Sequence, residues 1–281
     1  MRLGCMLAGG LAALAALGTT AAGQSGTGSP TNGDRTYVGF DKNGYPGDNW
    51  LPRLRKSFAY TGFWLNDPPD MKTNPWEGKR LAVRAAGLGF LLLFNGRLDK
   101  ELKSDNAADL GHSDAQRAVA AAKREGFPAG AVIFLDQEEG GALLAEQAEY
   151  LAAWIADVDR SEYTAGVYCS GIAVAAGPKT TSTAADVAAR FPEAKLWVWN
   201  DACPPSPGCV SGERMFDPAG SGFSQALVWQ YARSPRSADG TAACRQTYAT
   251  DNGCYAPGLP HSPATFVDLD VSRLADPSRG R

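Results

Sequence analysis

Histidine is almost missing: His112 and His261 are the only two among 281 residues. No Cys-x-x-Cys pair occurs either, so a zinc site built from thiolate and imidazole has no ligand set. No metal site and no cofactor is expected, although oxygen-only calcium binding stays open. There is no Gly-x-Ser-x-Gly. His112 stands just before the serine of "SDAQ", and His261 lies in the loop sequence "LPHSP". Serine and cysteine hydrolases of the usual kinds therefore lack a base and a nucleophile elbow. No Gly-x-G-x-x-Gly follows the first strand and no P-loop is present, which removes the common nucleotide-binding versions of an open sheet. Basic residues are not in excess: the formal net charge is −3. That excludes a general binder of nucleic acid. No internal repeat is evident.

Long apolar runs are also scarce. The N-terminal "MRLGCMLAGGLAALAALGTTAAGQ" has an early Arg2, an apolar core and small residues near Ala21–Gly23. It is too short for a comfortable span, which needs roughly 20 residues, and has the layout of a secretory signal. Residues 1–23 are expected to be a signal peptide and 24–35 a flexible linker, because "GQSGTGSPTNGD" is rich in Gly, Ser and Thr. Residues 36–275 are expected to form one domain and 276–281 a disordered tail. The expected location is extracellular or in the cell envelope, as a monomer with no transmembrane segment after cleavage. Export makes disulfides plausible. The short spacings pair Cys203 with Cys209 and Cys244 with Cys254, leaving Cys169 as a buried thiol.

What the chain has in quantity is alternation. Apolar, strand-like runs fall at 37–41, 58–65, 89–96, 131–138, 164–171, 195–200, 226–232 and 265–271. Helical patterns separate them, most clearly at 113–126 and 142–159. In the second, Leu144, Ala148, Leu151, Ile155 and Val158 recur at helical spacing. Continuously apolar strands alternating with helices mean parallel strands covered on both faces. About eight such units predict an α/β (β/α)8 TIM-like barrel, with the cysteine-bearing late segments as loops. An open doubly wound sheet is the alternative.

Several predicted strands end in an acid or amide, and strand C-terminal ends face the mouth of such a barrel. "AVIFLDQEEGG" (131–141) does so most conspicuously. Residues i and i+2 of a strand share a face. Asp136 and Glu138 therefore point the same way, with Cα atoms roughly 6.5 Å apart. Their side chains reach the separations of about 5–9.5 Å used in glycoside hydrolysis. The competing interpretation is a solvated acidic cluster at the N-terminus of the following helix, and for Glu139 that is preferred. Asp41 and Asp268 are further acids at the ends of predicted strands. Trp64, Asn95, Tyr168, Trp197, Trp199, Asn200, Gln230, Tyr231 and Asp270, at or near strand ends, are candidate glycan-binding residues. Flat amphipathic rings suit sugar faces; ordinary packing is the alternative for each ring.

Together these segments resemble a known superfamily. "YVGFD", "FLDQE", "AGVYCSG", "LWVW" and "VWQY…VDLDV" are similar to the strands of the family-25 glycoside hydrolases, the Chalaropsis-type lysozymes. "GHSDAQRAVAAAKREGFPAGAVIFLDQE" is closer to the glycoside-hydrolase-like domain of unknown function 1906. The resemblance runs from about Tyr37 to Val271. It implies a secreted barrel acting on, or binding, cell-wall or related glycans such as peptidoglycan. It assigns Glu138 as catalytic acid, Asp136 as the second acid, and Asp41 and Asp268 as the first- and last-strand aspartates. The chain departs from that pattern in Glu139, in "DLDV" where the lysozymes have D-L-N, and in the long late loops. Two functions follow: a glycosidase working by carboxylate acid/base catalysis, or a weak or inactive barrel that binds glycan.

Overall fold

The structure, a computed structural model, describes residues 35–103, 105–137, 139–176, 179–200, 217–232 and 267–281. Eight strands close into a barrel. In chain order these are β1 (Tyr37–Asp41), β2 (Tyr60–Trp64), β3 (Gly89–Asn95), β4 (Val132–Gln137), β5 (Thr164–Ser170), β8 (Lys195–Trp199), β9 (Ala226–Ala232) and β10 (Asp268–Ser272). A small hairpin of β6 (Val174–Ala176) and β7 (Lys179–Thr181) follows β5. Helices α1 (Leu51–Leu54), α2 (Arg80–Ala85), α3 (Ala107–Glu125), α4 (Ala145–Arg160) and α5 (Thr183–Arg190) lie between strands. The apolar runs "FLLLF" and "VIFL" are buried along their whole length, as strands covered on both faces must be.

One strand departs from the expected all-parallel barrel. β10 runs antiparallel to both of its neighbours, β1 and β9. Strand direction leaves no trace in a five-residue apolar pattern. The reversal has a consequence for the site. The first residue of β10, Asp268, lies opposite the last residue of β1, Asp41. Both therefore reach the same end of the barrel.

The helices begin at other residues than their periodicity suggested. α3 starts at Ala107, six residues before Ser113, and α4 starts at Ala145. Gly126 ends α3 as expected. The "GHSDA" segment lies inside α3 and is a packing device. A Cβ on Gly111 would stand 2.4 Å from the Tyr150 carbonyl oxygen on α4, so glycine is what allows the two helices this close. One turn on, buried Asp114 accepts from Arg97 Nε at 2.7 Å, Arg117 Nη1 at 2.8 Å and Tyr150 Oη at 3.0 Å. It ties α3 to α4 and to the loop after β3.

The segment 276–281 is not the disordered tail expected from its composition. It folds back under the barrel between the starts of β3 and β4. Phe90 N donates to Asp276 Oδ1 (2.7 Å), Leu92 N to Ser278 Oγ (2.8 Å) and Val132 N to Ser278 O (2.9 Å). Ser278 N donates back to Phe90 O, and Arg80 Nη2 to Gly280 O. A short polar segment with little apolar periodicity is held by backbone groups, which periodicity does not reveal. Cys169 is a buried free thiol; burial first, and the charge of Asp136 second, push it well above the ordinary thiol range. Cys203, Cys209, Cys244 and Cys254, like residues 1–34, lie outside the described residues. Among the described residues no helix is long and apolar enough to cross a membrane.

Candidate active site

The inner face of the barrel is identified by contacts that skip a strand. The ring of Phe134 on β4 meets Trp197 on β8, Tyr168 on β5 bonds to Gln230 on β9, and Trp197 bonds to Asp270 on β10. Such contacts are possible only across the interior. By strand alternation Asp136 shares the inner face with Phe134. It stands between Asn95 and Tyr168 in register and is 5% exposed.

Five of the residues singled out from sequence join in one interior network. Tyr168 Oη donates to Gln230 Oε1 at 2.9 Å, and Gln230 Nε2 donates to Asp41 Oδ2 at 2.7 Å. Trp197 Nε1 donates to Asp270 Oδ1 at 3.1 Å, and the Trp197 and Tyr168 rings stack at a tilt, 4.5 Å apart. Asp270 is fully buried. Burial, the charge of Asp41 and that of Asp268 hold its carboxyl well above the usual range, against a smaller opposing effect of the Trp197 N–H. Small residues make the room. A Cβ on Gly39 would lie 2.0 Å from the Tyr60 ring, and one on Gly62 would lie 2.7 Å from Asp41 Cβ.

Other candidates are committed elsewhere. Trp64 is buried, and its indole N–H donates to the Lys42 carbonyl, so it fixes the turn after β1 and presents no open ring. Trp197 and Tyr231 are likewise interior. The Asn95 amide donates to Asp67 O, while its backbone exchanges hydrogen bonds with the side chain of Asn66. Asn200 donates to Ser221 O and accepts from Trp229 Nε1. These amides hold loops in place. Trp199 remains half-exposed. A cleft of about 310 Å³ opens beside the mouth, lined by Asn66, Asp67, Asn95 and Arg97 among others. Glu138 lies outside the described residues.

Glu139 does not belong to the first turn of a helix, since α4 begins at Ala145. Its carboxylate accepts from Asp99 N at 2.8 Å and from Gln147 Nε2 at 2.6 Å. It clasps the loop after β3 to α4. Burial is the main cause that raises its pKa.

Two residues of the site were not anticipated from sequence. Tyr60 is fully buried against Gly39, and its hydroxyl has no hydrogen-bond partner among the described residues. Burial and the charges of Asp270, Tyr231 and Asp41 push it well above the ordinary phenol range. The signal available was its place four residues before Trp64, on the same strand face. Lys42 directly follows Asp41. Burial lowers its pKa to about 8, against an opposite pull from Asp268. Among the described residues no group of three or more His, Cys, Asp or Glu is arranged to hold a metal ion.

Solved structures with a similar fold include an uncharacterised protein of B. stearothermophilus. It is 19% identical, with 84% of this chain and 95% of that one covered and a TM-score of 0.53. The Tat-secreted protein Rv2525c of Mycobacterium tuberculosis, solved with L-tartrate, is 14% identical over 84% and 93% of the two chains, with a TM-score of 0.50. A family GH25 lysozyme from Aspergillus fumigatus is 12% identical over 85% and 94%, with a TM-score of 0.47. No curated protein matches the chain. Residues 60–205, more than half of the chain, match the model of the Rv2525c-like, glycoside hydrolase-like domain, and the chain belongs to that family.

Proposed function

We propose that this glycoside hydrolase-like barrel takes a cell-wall or related glycan at its mouth and cleaves it by carboxylate acid/base chemistry. The observation that carries this reading is the convergence of Asp41, Asp136 and Asp268 at one end of the barrel, from three strands of which one runs the other way. Clustered carboxylates repel, and a fold with no use for them has little reason to gather them. In a glycosidase the repulsion keeps one carboxyl protonated near neutral pH.

In this reading Glu138, immediately after β4, gives a proton to the leaving oxygen. Asp136 stabilises the oxocarbenium-like transition state or orients a substrate acetamido group. Asp41 and Asp268 tune the charge of the site and bind hydroxyls. Trp199, the half-exposed aromatic at the mouth, is the sugar platform. Secretion is part of the proposal. It is supported by the signal-like residues 1–23 and by the description of the similar Rv2525c as Tat-secreted.

A second reading, glycan binding without cleavage, is favoured by one observation. Asp41 and Asp136 are both more than nine-tenths buried. Purified peptidoglycan separates the two. New reducing ends released by the wild type support hydrolysis. Co-sedimentation without new reducing ends supports the binding module and overturns the enzyme.

A further inference from the structure

We infer that Tyr168 and Gln230 are positioning residues that act as one relay: the tyrosine hydroxyl locks the Gln230 amide, and the amide holds Asp41 in place at the mouth of the barrel. By residue type both are sugar contacts, and the structure gives them other work. The inference deepens the glycosidase reading and rests on it only for the effect on rate.

The relay crosses the barrel. In the closed strand order β5 stands opposite β1, four strands away in either direction. Tyr168 on β5 reaches past β8 to Gln230 on β9, and Gln230 reaches past β10 to Asp41 on β1. Tyr168 is also the register partner of Asp136. The two steps therefore join the strand beside one candidate acid to the acid on the far side of the interior.

Donors and acceptors fix the direction of the relay. Tyr168 Oη donates to Gln230 Oε1 at 2.9 Å, which occupies the amide oxygen and leaves the N–H₂ to face Asp41 Oδ2 at 2.7 Å. Turned round, the amide would set its oxygen against the carboxylate, acceptor against acceptor. The 2.7 Å separation is at the short end of the range for an N–H on an ionised carboxylate, about 2.7–2.9 Å.

Each member is held in its turn. The Tyr168 ring lies 4.5 Å from that of Trp197, and Trp197 is braced by the Phe134 ring and by its own N–H on Asp270 Oδ1. From the β2 side, a Cβ on Gly62 would stand 2.7 Å from Asp41 Cβ, so the backbone closes on the aspartate there. Asp41 is thus confined between β2 and the Gln230 amide. Tyr168 and Gln230 are both buried, which leaves little of either to touch a sugar.

The first test uses the full chain and no substrate, so its failure is separate from failure of the glycan reading. Side-chain nitrogen-15 glutamine and carboxyl-carbon-13 aspartate are incorporated, and the two signals are assigned by their loss in Gln230→Leu and Asp41→Asn. In the wild type one Gln230 amide proton is expected downfield and protected from exchange with solvent. Tyr168→Phe keeps the ring on Trp197 and removes only the hydroxyl. It is expected to lose that protection and to shift the Asp41 carboxyl signal. A folded Tyr168→Phe with both signals in place would overturn the inference, because the hydroxyl would then only fill the core. If that variant does not fold, Asp41→Asn decides: the Gln230 amide proton is expected to lose its downfield shift, and an unmoved one overturns the relay.

Rate gives the second readout. On peptidoglycan Tyr168→Phe is expected to lower kcat, by up to about 10²-fold for a misplacement of about 1 Å, with KM little changed. A raised KM at unchanged kcat would make Tyr168 a sugar contact and overturn its positioning role. A wild type without activity would end the glycosidase reading and leave the first test to decide the relay.

Discussion

Substituting Ser278 by alanine tests how the barrel is closed at its base. Ser278 Oγ is the acceptor for Leu92 N at 2.8 Å, and Leu92 is fully buried. Alanine keeps the backbone bonds to Phe90 O and from Val132 N but leaves the Leu92 N–H without that acceptor. A buried unsatisfied donor costs about 1–3 kcal/mol. Removing 276–281 altogether takes the acceptors of three buried N–H groups, on Phe90, Leu92 and Val132. The same arithmetic gives about 3–9 kcal/mol, which compares with a whole-domain stability of about 5–15 kcal/mol. The deletion is therefore expected to leave little folded protein. Urea unfolding followed by tryptophan fluorescence reads both. Ser278→Ala is expected to lower the midpoint with the slope unchanged. Arg281→Ala is the control: this exposed side chain reaches three carbonyls at 3.2–3.3 Å, and its loss is expected to cost less. If Ser278→Ala unfolds with the wild type while Arg281→Ala is the damaging change, the tail is held by its arginine and the account of it is wrong.

Gly111→Ala places a Cβ 2.4 Å from the Tyr150 carbonyl and must push α3 from α4. A loss of about 1–3 kcal/mol in thermal or urea unfolding is expected, and an unchanged stability would show that the helices can part freely. Asp114→Ala removes the shared acceptor of Arg97, Arg117 and Tyr150. It is expected to cost about 1.5–3 kcal/mol by the same assay. Lys42, with its pKa lowered to about 8, is expected to acylate with a midpoint near that pH, read by mass spectrometry. Above about pH 8 the folded lysine has lost its proton while the unfolded one still holds it, so stability attributable to Lys42 rises with pH up to its ordinary value. Lys42→Met is expected to flatten that rise, and an unchanged slope would contradict the burial argument.

The strands of the barrel were legible because burial on both faces writes a continuous apolar run. "FLLLF" in β3 and "VIFL" in β4 show it most plainly. Aspartates at strand ends were legible for a related reason: an acid after such a run needs a wet or functional destination. Three features were not legible. The direction of β10 depends on its partners and not on its own five residues. The tail at 276–281 is held by backbone donors of β3 and β4. The roles of Trp64, Asn95 and Asn200 depend on which carbonyl each side chain meets, and those carbonyls are 22, 28 and 21 residues away in the chain. Residue type marks them as able to bind sugar, but only tertiary geometry shows what they hold instead.

The central claim rests on the carboxylates of the β4 end, and the most direct measurement compares Glu138→Gln with Glu139→Gln. Each is assayed for release of reducing ends from peptidoglycan across pH, with melting temperature as the control for folding. Glutamine keeps the shape of Glu138 but has no proton to give the leaving oxygen. Loss of a general acid costs about 10²–10⁴ in rate, so Glu138→Gln is expected to fall by that factor at unchanged or higher melting temperature. Glu139 clasps Asp99 and Gln147, and its replacement is expected to lower the melting temperature and leave most of the rate. Equal rates for Glu138→Gln and the wild type, or a dead Glu139→Gln that is still folded, would contradict the account.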